Sequence, residues 1–245
     1  MPDPNRIGGL GWTRRTRGAL TSAERRKLLV AVARGQAANA AGQLKLRLGR
    51  APRGAEQMPD PPDTAFARDV QEACDEQPAP IVAHSYRTWA FGWALAALDG
   101  ESDRLDPEAY WCAALLHDAG LEQPVAGEDF TLRSAAAAIE CADRHGRDDG
   151  ESIADGITVH ATPGVTVARD GAIGTYIQAG AMLDLGGLRL WDASPRLLTD
   201  VQTRWTPGDM LPFVRAEARA VPAGRFAFMG RCGLFAAMRF GALRK

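Results

Sequence analysis

Hydrophobic residues recur at helical spacing along the chain from Asp63 onward. No stretch alternates apolar and polar residues between turn signals, as a half-buried strand would. Proline and glycine mark the ends of the periodic stretches. The pattern predicts an all-α fold. Its helices are expected at residues 65–76, 81–100, 107–120, 131–145, 151–161 and 171–185.

The first part of the chain differs from this body. Pro, Gly and Arg are frequent in residues 1–20, which predicts a loose tail. Thr21 followed by Glu24 matches a capping box and starts a predicted helix that runs to about Leu48. A Pro- and Gly-rich stretch at 51–64 then predicts a linker.

The chain therefore divides into three predicted parts. They are a basic arm and helix with a Pro-rich linker (1–62), a helical body (63–190) and a C-terminal extension (191–245). The hydrophobic pattern beyond Trp191 is less regular, so we expect the extension to be irregular and to pack on the core. Its apolar stretch at 226–240 is a candidate surface for a homo-oligomer.

The charge of the chain is unevenly distributed. With 245 residues, 46% of them hydrophobic, it can bury a sizeable core. The formal net charge is -1, yet residues 1–53 hold twelve Lys or Arg against two acidic residues, so a basic segment is attached to an acidic remainder. Such a segment packs on the acidic body or stays solvated. Contact with nucleic acid is the minority interpretation, because aromatic residues are not interleaved with the arginines.

The spacing of the cysteines indicates the redox environment in which the protein works. Cys74, Cys112, Cys141 and Cys232 are far apart and form no paired motif. This spacing argues against a zinc ribbon, a redox dithiol or a disulfide framework, and it favours a reduced, cytoplasmic setting. No membrane span is expected, because the most apolar late stretch, at 226–243, contains arginines and several glycines.

The stretch AYWCAALLHDAG, residues 109–120, places His117 and Asp118 where the pattern predicts buried apolar residues. Burying an unpaired imidazole or carboxylate is costly, so such a pair needs a partner or a cation. His84 and Asp184 lie on other predicted helices, and helices packed side by side can direct such side chains into one interior site. Imidazole and carboxylate groups together suit a divalent ion such as Zn, Fe or Mn.

The order of these residues is a histidine, a His-Asp pair about thirty residues later, and a late aspartate on a helix. This order resembles the HD-domain superfamily of metal-dependent hydrolases. The resemblance covers roughly residues 65–190 and looks like the branch that includes cyanamide hydratase. It is carried by HSYRT at 84–88, ALLHDAGL at 114–121, TVHATPG at 158–164 and GAMLDLG at 180–186.

The resemblance implies an HD-domain-like helical bundle with one bound divalent ion and a small-molecule substrate. The ligands that it implies are His84, His117, Asp118 and Asp184. It places His160 near the ion, as a further ligand or as a polar group acting on substrate. The implied enzyme is a hydrolase or hydratase that uses a metal-activated water, with nitrile or cyanamide hydration as the specific case. Asp118 or His160 would move protons during the reaction.

Arg87 is the third candidate catalytic residue. It lies three residues after His84, near the same face of the predicted helix. Arg87 can bind an anionic substrate or pair with a carboxylate, and the sequence leaves both roles open. Asp184 can alternatively cap the turn that follows it. His145, beside a glycine at a predicted helix C-terminus, is assigned a structural role.

Two other functions stay open. One is an HD-type phosphohydrolase acting on a nucleotide or a phosphomonoester. Members that use two metals add histidines between the His-Asp pair and the last aspartate, and here only His145 and His160 lie in that interval. The other is a catalytically silent HD module that senses a ligand or contacts a partner through the basic N-terminal helix.

Overall fold

The structure, a computed structural model, describes residues 3, 6–49, 54–56 and 58–240. Thirteen α-helices and three short 3-10 turns account for most of these residues, and none of them belongs to a β-strand. The all-α prediction is confirmed. The helices are α1 (Leu10–Thr16), α2 (Ser22–Arg47), α3 (Ala65–Asp75), α4 (Ala79–Asp99), α5 (Pro107–Leu116), α6 (Phe130–Arg144), α7 (Gly150–His160), α8 (Val167–Asp170), α9 (Ala172–Gly186), α10 (Pro195–Arg204), α11 (Leu211–Ala220), α12 (Arg225–Arg231) and α13 (Leu234–Phe240).

Local signals in the sequence set where the helices begin. Thr21 and Glu24 form the predicted capping box: the Thr21 hydroxyl accepts from the Glu24 N–H, and the Glu24 carboxylate accepts from the Thr21 N–H. Asp106 caps α5 by accepting from the N–H of Ala109 at 2.8 Å, and Pro107 occupies the first turn. The starts of α2 and α5 are therefore encoded within a few residues.

Helices α4 and α9 cross in backbone contact. A Cβ atom on Gly180 would lie only 2.2 Å from the carbonyl oxygen of Thr88 and 2.8 Å from the backbone nitrogen of Gly92. Glycine is therefore the residue that permits this approach. One turn after Gly180 on α9 is Asp184, and one turn before Thr88 on α4 is His84. The antiparallel crossing thus brings these two side chains together.

Helices α5 and α7 complete the body around this pair. Residues 109–116 of α5 are all buried, which explains why the helix shows no polar face. Helix α7 approaches α9 through small residues: a Cβ atom on Gly174 would lie 3.0 Å from the carbonyl oxygen of Gly156. His117 directly follows α5 and His160 ends α7. Both histidines therefore lie at helix ends inside the bundle.

The N-terminal segment is ordered where a loose tail was predicted, so that prediction is wrong for residues 6–20. The segment contains α1, and the indole of Trp12 is buried. Arg6 is also buried and pairs with Asp155 and Asp170 on the helical body. Burial of an aromatic ring together with long-range ion pairs offsets the flexibility that the Pro, Gly and Arg composition suggested.

Helix α2 lies along the outside of the molecule. Of its 26 residues, Leu28 and Gly42 are buried. Gln36 donates from Nε2 to the carbonyl oxygen of Cys232 at 3.0 Å, and Gly42 lies against the ring of Trp191. The basic helix is therefore attached mainly to the C-terminal part of the chain. Residues 51–53 and 57 of the predicted linker lie outside the described residues.

The C-terminal extension is helical, and the prediction of an irregular segment is wrong. Residues 195–240 form the four helices α10 to α13, each of seven to ten residues. Such helices are too short to show many periods of an apolar pattern, and their stability comes from tertiary packing. Leu211, Val214, Leu234 and Met238 pack with Phe130 in one cluster of buried residues. Within the described part of the chain, no helix combines the length and the apolarity needed to cross a bilayer.

A buried ion pair fastens this extension to the body. The Arg225 guanidinium at the start of α12 donates to the Asp129 carboxylate at 2.8 Å and to the Thr131 hydroxyl at 2.9 Å. It also donates to the carbonyl oxygen of Thr158 and the hydroxyl of Thr162. Arg225 and Asp129 are both almost fully buried. These bonds compensate the charges that burial would otherwise leave unsolvated.

Glu217 on α11 lies beside this ion pair and is buried as well. One carboxylate oxygen accepts from the N–H of Phe130 at 3.1 Å. The other has no hydrogen-bond donor among the described residues and lies 3.7 Å from the Arg133 guanidinium. Burial, together with the charge of Asp129, raises the pKa of Glu217 to about 7.

We predict that Glu217→Gln removes a pH dependence of stability. Because the folded-state pKa is about 7 and the reference value is 4.5, the wild-type free energy of unfolding should fall as pH rises through this interval. At about 1.4 kcal/mol per pH unit the loss is roughly 3 kcal/mol. Urea unfolding of both proteins between pH 4 and 8 measures it. Parallel curves for the two proteins would contradict the prediction.

We also predict that Gly180→Ala destabilises the fold. The added Cβ atom would overlap the Thr88 carbonyl oxygen, which forces α4 and α9 apart at a cost of roughly 1–3 kcal/mol. Gly35→Ala on α2 is the matched control, because nothing lies within 4 Å of its Cβ position. It should be neutral or stabilising, since alanine favours a helix. Thermal and urea unfolding compare the two, and equal stability of both variants would count against the close crossing.

Candidate metal centre

His84 is fully buried on α4, where its two ring nitrogens face two different carboxylates. Nδ1 lies 2.6 Å from an Asp184 oxygen. Nε2 lies 3.5 Å from an Asp118 oxygen and 3.5 Å from the Thr88 hydroxyl. With its proton on Nδ1, directed to Asp184, the ring has an Nε2 lone pair that faces Asp118.

His117 lies at the C-terminal end of α5, and Asp118 follows it at the start of a 3-10 turn. His117 Nδ1 donates to the carbonyl oxygen of Ala114 at 2.7 Å. This bond places a proton on Nδ1, so the neutral ring has an Nε2 lone pair, 3.4 Å from an Asp118 oxygen, and the protonated ring has an Nε2–H there. Both side chains are buried, as the apolar setting of the His-Asp pair predicted.

His160 repeats this arrangement at the end of α7. Its Nδ1 donates to the carbonyl oxygen of Ile157, three residues earlier. Its Nε2 lies 3.8 Å from Asp118 Oδ1, and its ring centre lies 4.9 Å from that of His117. Three imidazoles therefore direct Nε2 towards the two oxygens of one buried carboxylate.

The residues fit a bound cation. Ligand atoms of His84, His117 and Asp118 all lie within 4.8 Å of one another, and all three residues are buried. His117 Nε2 and Asp118 Oδ1 have no hydrogen-bond partner within the described part of the chain. Unpaired buried nitrogen and oxygen lone pairs are costly unless a proton or a cation compensates them. This group could thus hold a divalent ion, with donors of the kind that Zn, Fe and Mn accept.

Asp184 lies on the other side of the His84 ring and is also buried. Arg87 donates to both of its oxygens, from Nε at 2.6 Å and from a terminal nitrogen at 2.9 Å, and also to the carbonyl oxygen of Trp205. Of the two roles that the sequence left open for Arg87, the structure shows the carboxylate pair. Asp184 orients the His84 ring in the described geometry, an arrangement common around metal-bound imidazoles. Its role as a direct ligand, and a catalytic role of Arg87, stay predictions.

The electrostatics of the cluster follow from burial and mutual charge. Burial acts to raise the pKa of Asp118, but the imidazoles, His117 first, hold it well below its usual range. Burial acts to lower the pKa of His117, yet the Asp118 carboxylate raises it above its ordinary value. Burial and the charge of His117 lower the pKa of His160 to about 3. Asp118 is therefore ionised and His160 neutral at physiological pH.

A cavity of about 40 Å³ lies against the cluster. That volume accommodates water or a few atoms of a small molecule. Apart from the cluster the wall is mostly apolar, and no Lys or Arg is found among its described lining residues. The lining consists of His84, His117, Asp118, His160, Ala161, Gln178, Ala181, Met182, Leu185, Val214, Phe226, Met229 and Leu234.

The sequence located one side of this cavity and missed the other. It identified the polar cluster, and the structure brings His84, His117, Asp118 and His160 together. It gave no role in the site to Gln178 or to the residues of α11 to α13 that also line the cavity. No local motif marks those residues, because their place in the wall depends on how the C-terminal helices fold back.

No known family model matches the chain, and no curated protein shows significant sequence similarity to it. The resemblance to the HD-domain superfamily stays a prediction. What the structure adds is the arrangement of the cluster and of the cavity beside it.

We predict that the protein binds a divalent ion and that the ion stabilises it. Zn²⁺, Mn²⁺ or Fe²⁺ at a hundredfold excess over its Kd should add about 2.7 kcal/mol to the free energy of unfolding. His117→Ala and Asp118→Ala should abolish this gain, because each removes an atom of the cluster. Calorimetric titration and thermal unfolding after chelator treatment measure both effects.

The control for this experiment is His145→Ala. His145 lies outside the cluster and pairs with Asp69, its Nε2 3.1 Å from the carboxylate. Its loss should leave metal affinity unchanged. A wild-type protein that rejects all three ions, or an Asp118→Ala variant that binds them as well as wild type, would refute the site.

Proposed function

We propose that this protein is a metal-dependent hydratase or hydrolase that adds water to a small uncharged molecule with an electrophilic carbon, such as a nitrile. The observation that carries the proposal is the meeting of three imidazole Nε2 atoms at one buried carboxylate, at the wall of a small apolar cavity. The resemblance to the HD-domain superfamily supports the same reaction class, and a cytoplasmic location accords with the reduced cysteines predicted from the sequence.

His84, His117 and Asp118 would hold the ion, with Asp184 as the fourth group that the resemblance implies. A bound divalent ion supplies a Lewis acid that brings the pKa of water towards neutrality. The chain orients its own groups for this task. Asp184 fixes the proton of His84, and backbone carbonyl oxygens fix those of His117 and His160. In their neutral forms all three rings would therefore direct an Nε2 lone pair to the site without reorientation.

His160 is the group best placed to handle protons. It is buried, lines the cavity and is neutral because its pKa is about 3. Its Nε2 can accept a hydrogen bond from the attacking water and take up the proton that water loses as oxygen bonds to carbon. A proton on so weak a base passes readily to the substrate nitrogen, which becomes basic as the oxygen bonds to the adjacent carbon. The net reaction adds water across the carbon–nitrogen bond.

The cavity supports an uncharged substrate over a phosphate ester. Phosphoryl oxygens need cationic groups, and the described lining residues include no Lys or Arg. The guanidinium of Arg87 on α4 is already used within the protein. Two of its nitrogens donate to Asp184 and the third donates to the carbonyl oxygen of Trp205. Aliphatic side chains and the ring of Phe226 make the remainder of the wall. Such a wall suits a small molecule of low polarity.

The test is an assay of metal-loaded protein on cyanamide and short nitriles beside a panel of nucleotides and phosphomonoesters. We expect turnover of the first group only. His160→Gln should lower kcat by a hundredfold or more and still bind the ion, since general acid–base groups contribute about that much. His117→Gln should lose the ion and the activity together. His145→Gln is the control and should match wild type.

Each outcome separates the alternatives. Turnover of nucleotides alone would end the hydratase proposal in favour of a phosphohydrolase. A protein that stays free of metal and rejects added ions would favour a silent sensing or interaction module. Loss of bound metal in His160→Gln would instead make His160 a ligand.

A further inference from the structure

Gln178 lies on α9, on the helix face that lines the cavity, one to two turns before Ala181, Met182 and Leu185. It differs from these neighbours in being polar. Its side-chain nitrogen donates to two backbone carbonyl oxygens, that of His160 at 2.7 Å and that of Thr162. Gln178 therefore ties α9 to the end of α7, beside a residue of the site.

These two bonds determine which way the amide group faces. A carbonyl oxygen only accepts hydrogen bonds, so only the NH₂ end of Gln178 can face both His160 and Thr162. The opposite orientation would direct Oε1 at two other oxygens. Both amide protons are thus donated within the protein. The side-chain oxygen is the part of the amide that stays available to accept a hydrogen bond.

Gln178 Oε1 accepts no hydrogen bond from the described residues. Gln178 itself is only half-buried and forms part of the cavity wall. Among the described lining residues it is the polar side chain outside the His and Asp cluster. The cavity wall therefore includes the cluster that could hold a metal and a glutamine whose amide orientation is fixed and whose oxygen is a neutral hydrogen-bond acceptor.

We propose that Gln178 Oε1 accepts a hydrogen bond from an N–H or O–H group of the substrate and thereby sets specificity. This inference rests on the proposed function of the same site. The substrate class becomes narrower: a small molecule whose electrophilic carbon carries an adjacent N–H or O–H donor. Molecules of the same shape without a donor leave the oxygen unpaired, and a site with an unpaired polar group disfavours them.

The experiment compares two molecules of nearly the same shape, cyanamide and acetonitrile. Cyanamide has an NH₂ group where acetonitrile has a methyl group, so they differ in the donor and in the electron density on the nitrile. The electronic difference is the same for every variant, so it cancels when variants are compared. Binding to Co²⁺-loaded protein is followed by stopped-flow absorption of the ion before turnover, which gives a Kd for each probe. We compare the ratio of the two Kd values in wild type, in Gln178→Met and in the control Gln36→Met.

Gln178→Met keeps the length of the side chain and removes both the acceptor and the two hydrogen bonds to the His160 and Thr162 carbonyl oxygens. Loss of those two bonds should affect both probes equally, whereas loss of the acceptor should affect cyanamide alone. We expect the preference for cyanamide to fall by roughly five- to tenfold, the contribution of one neutral hydrogen bond. Gln36 also tethers a backbone carbonyl, that of Cys232, but lies away from the cavity, so Gln36→Met should keep the wild-type ratio. An unchanged ratio in Gln178→Met would overturn the inference. Equal weakening of both probes would overturn it too, because it would make Gln178 a tether only.

Failure of the proposed function has a different signature. If the wild type binds Co²⁺ but neither probe, the hydratase proposal fails and this inference fails with it. A crystal structure of the wild type with cyanamide provides a readout that needs no variant. We expect the amino nitrogen within about 3.2 Å of Gln178 Oε1. An amino group directed to any other part of the wall would overturn the inference.

Discussion

The buried carboxylate of Asp118 is the constraint on which the site depends. Its Oδ1 atom has no hydrogen-bond donor among the described residues, although three imidazoles lie within 4 Å of the carboxylate. Each of those rings directs its Nδ1 proton elsewhere, to Asp184 or to a backbone carbonyl oxygen. Lone pairs cannot satisfy lone pairs, so a shared proton, a cation or a water molecule in the adjoining cavity has to compensate them, and a divalent cation does so for all of them at once.

Support for this geometry extends outward in steps. The contact of Gly180 with the Thr88 backbone sets the separation of α4 and α9. That separation places Asp184 against His84, and Arg87 compensates the Asp184 charge with two hydrogen bonds. A glycine, which has no side chain, thus decides whether an imidazole one turn along the partner helix from Thr88 is correctly oriented. Residues far from the cluster are in this sense part of its geometry.

The sequence predicted what local signals encode. The caps at Thr21 and Asp106 and the apolar run before His117 lie within short stretches, and each predicted helix of the body is present. The sequence did not predict that α1 and the four C-terminal helices would be ordered. Their stability depends on partners distant in the chain, such as Asp129, which Arg225 meets across 96 residues. Gln178 was missed for the same reason, because its two bonds reach a different helix.

The C-terminal extension, which lies outside the resemblance, has a direct effect on the site. Residues 158–162 carry His160 and are held from two sides. Arg225 of α12 donates to the Thr158 carbonyl oxygen and the Thr162 hydroxyl, and Gln178 of α9 donates to the carbonyl oxygens of His160 and Thr162. The same extension supplies Phe226 to the cavity wall. The position of His160 and the shape of the cavity therefore depend on one set of contacts, so a change that loosens α12 alters proton handling and substrate fit together.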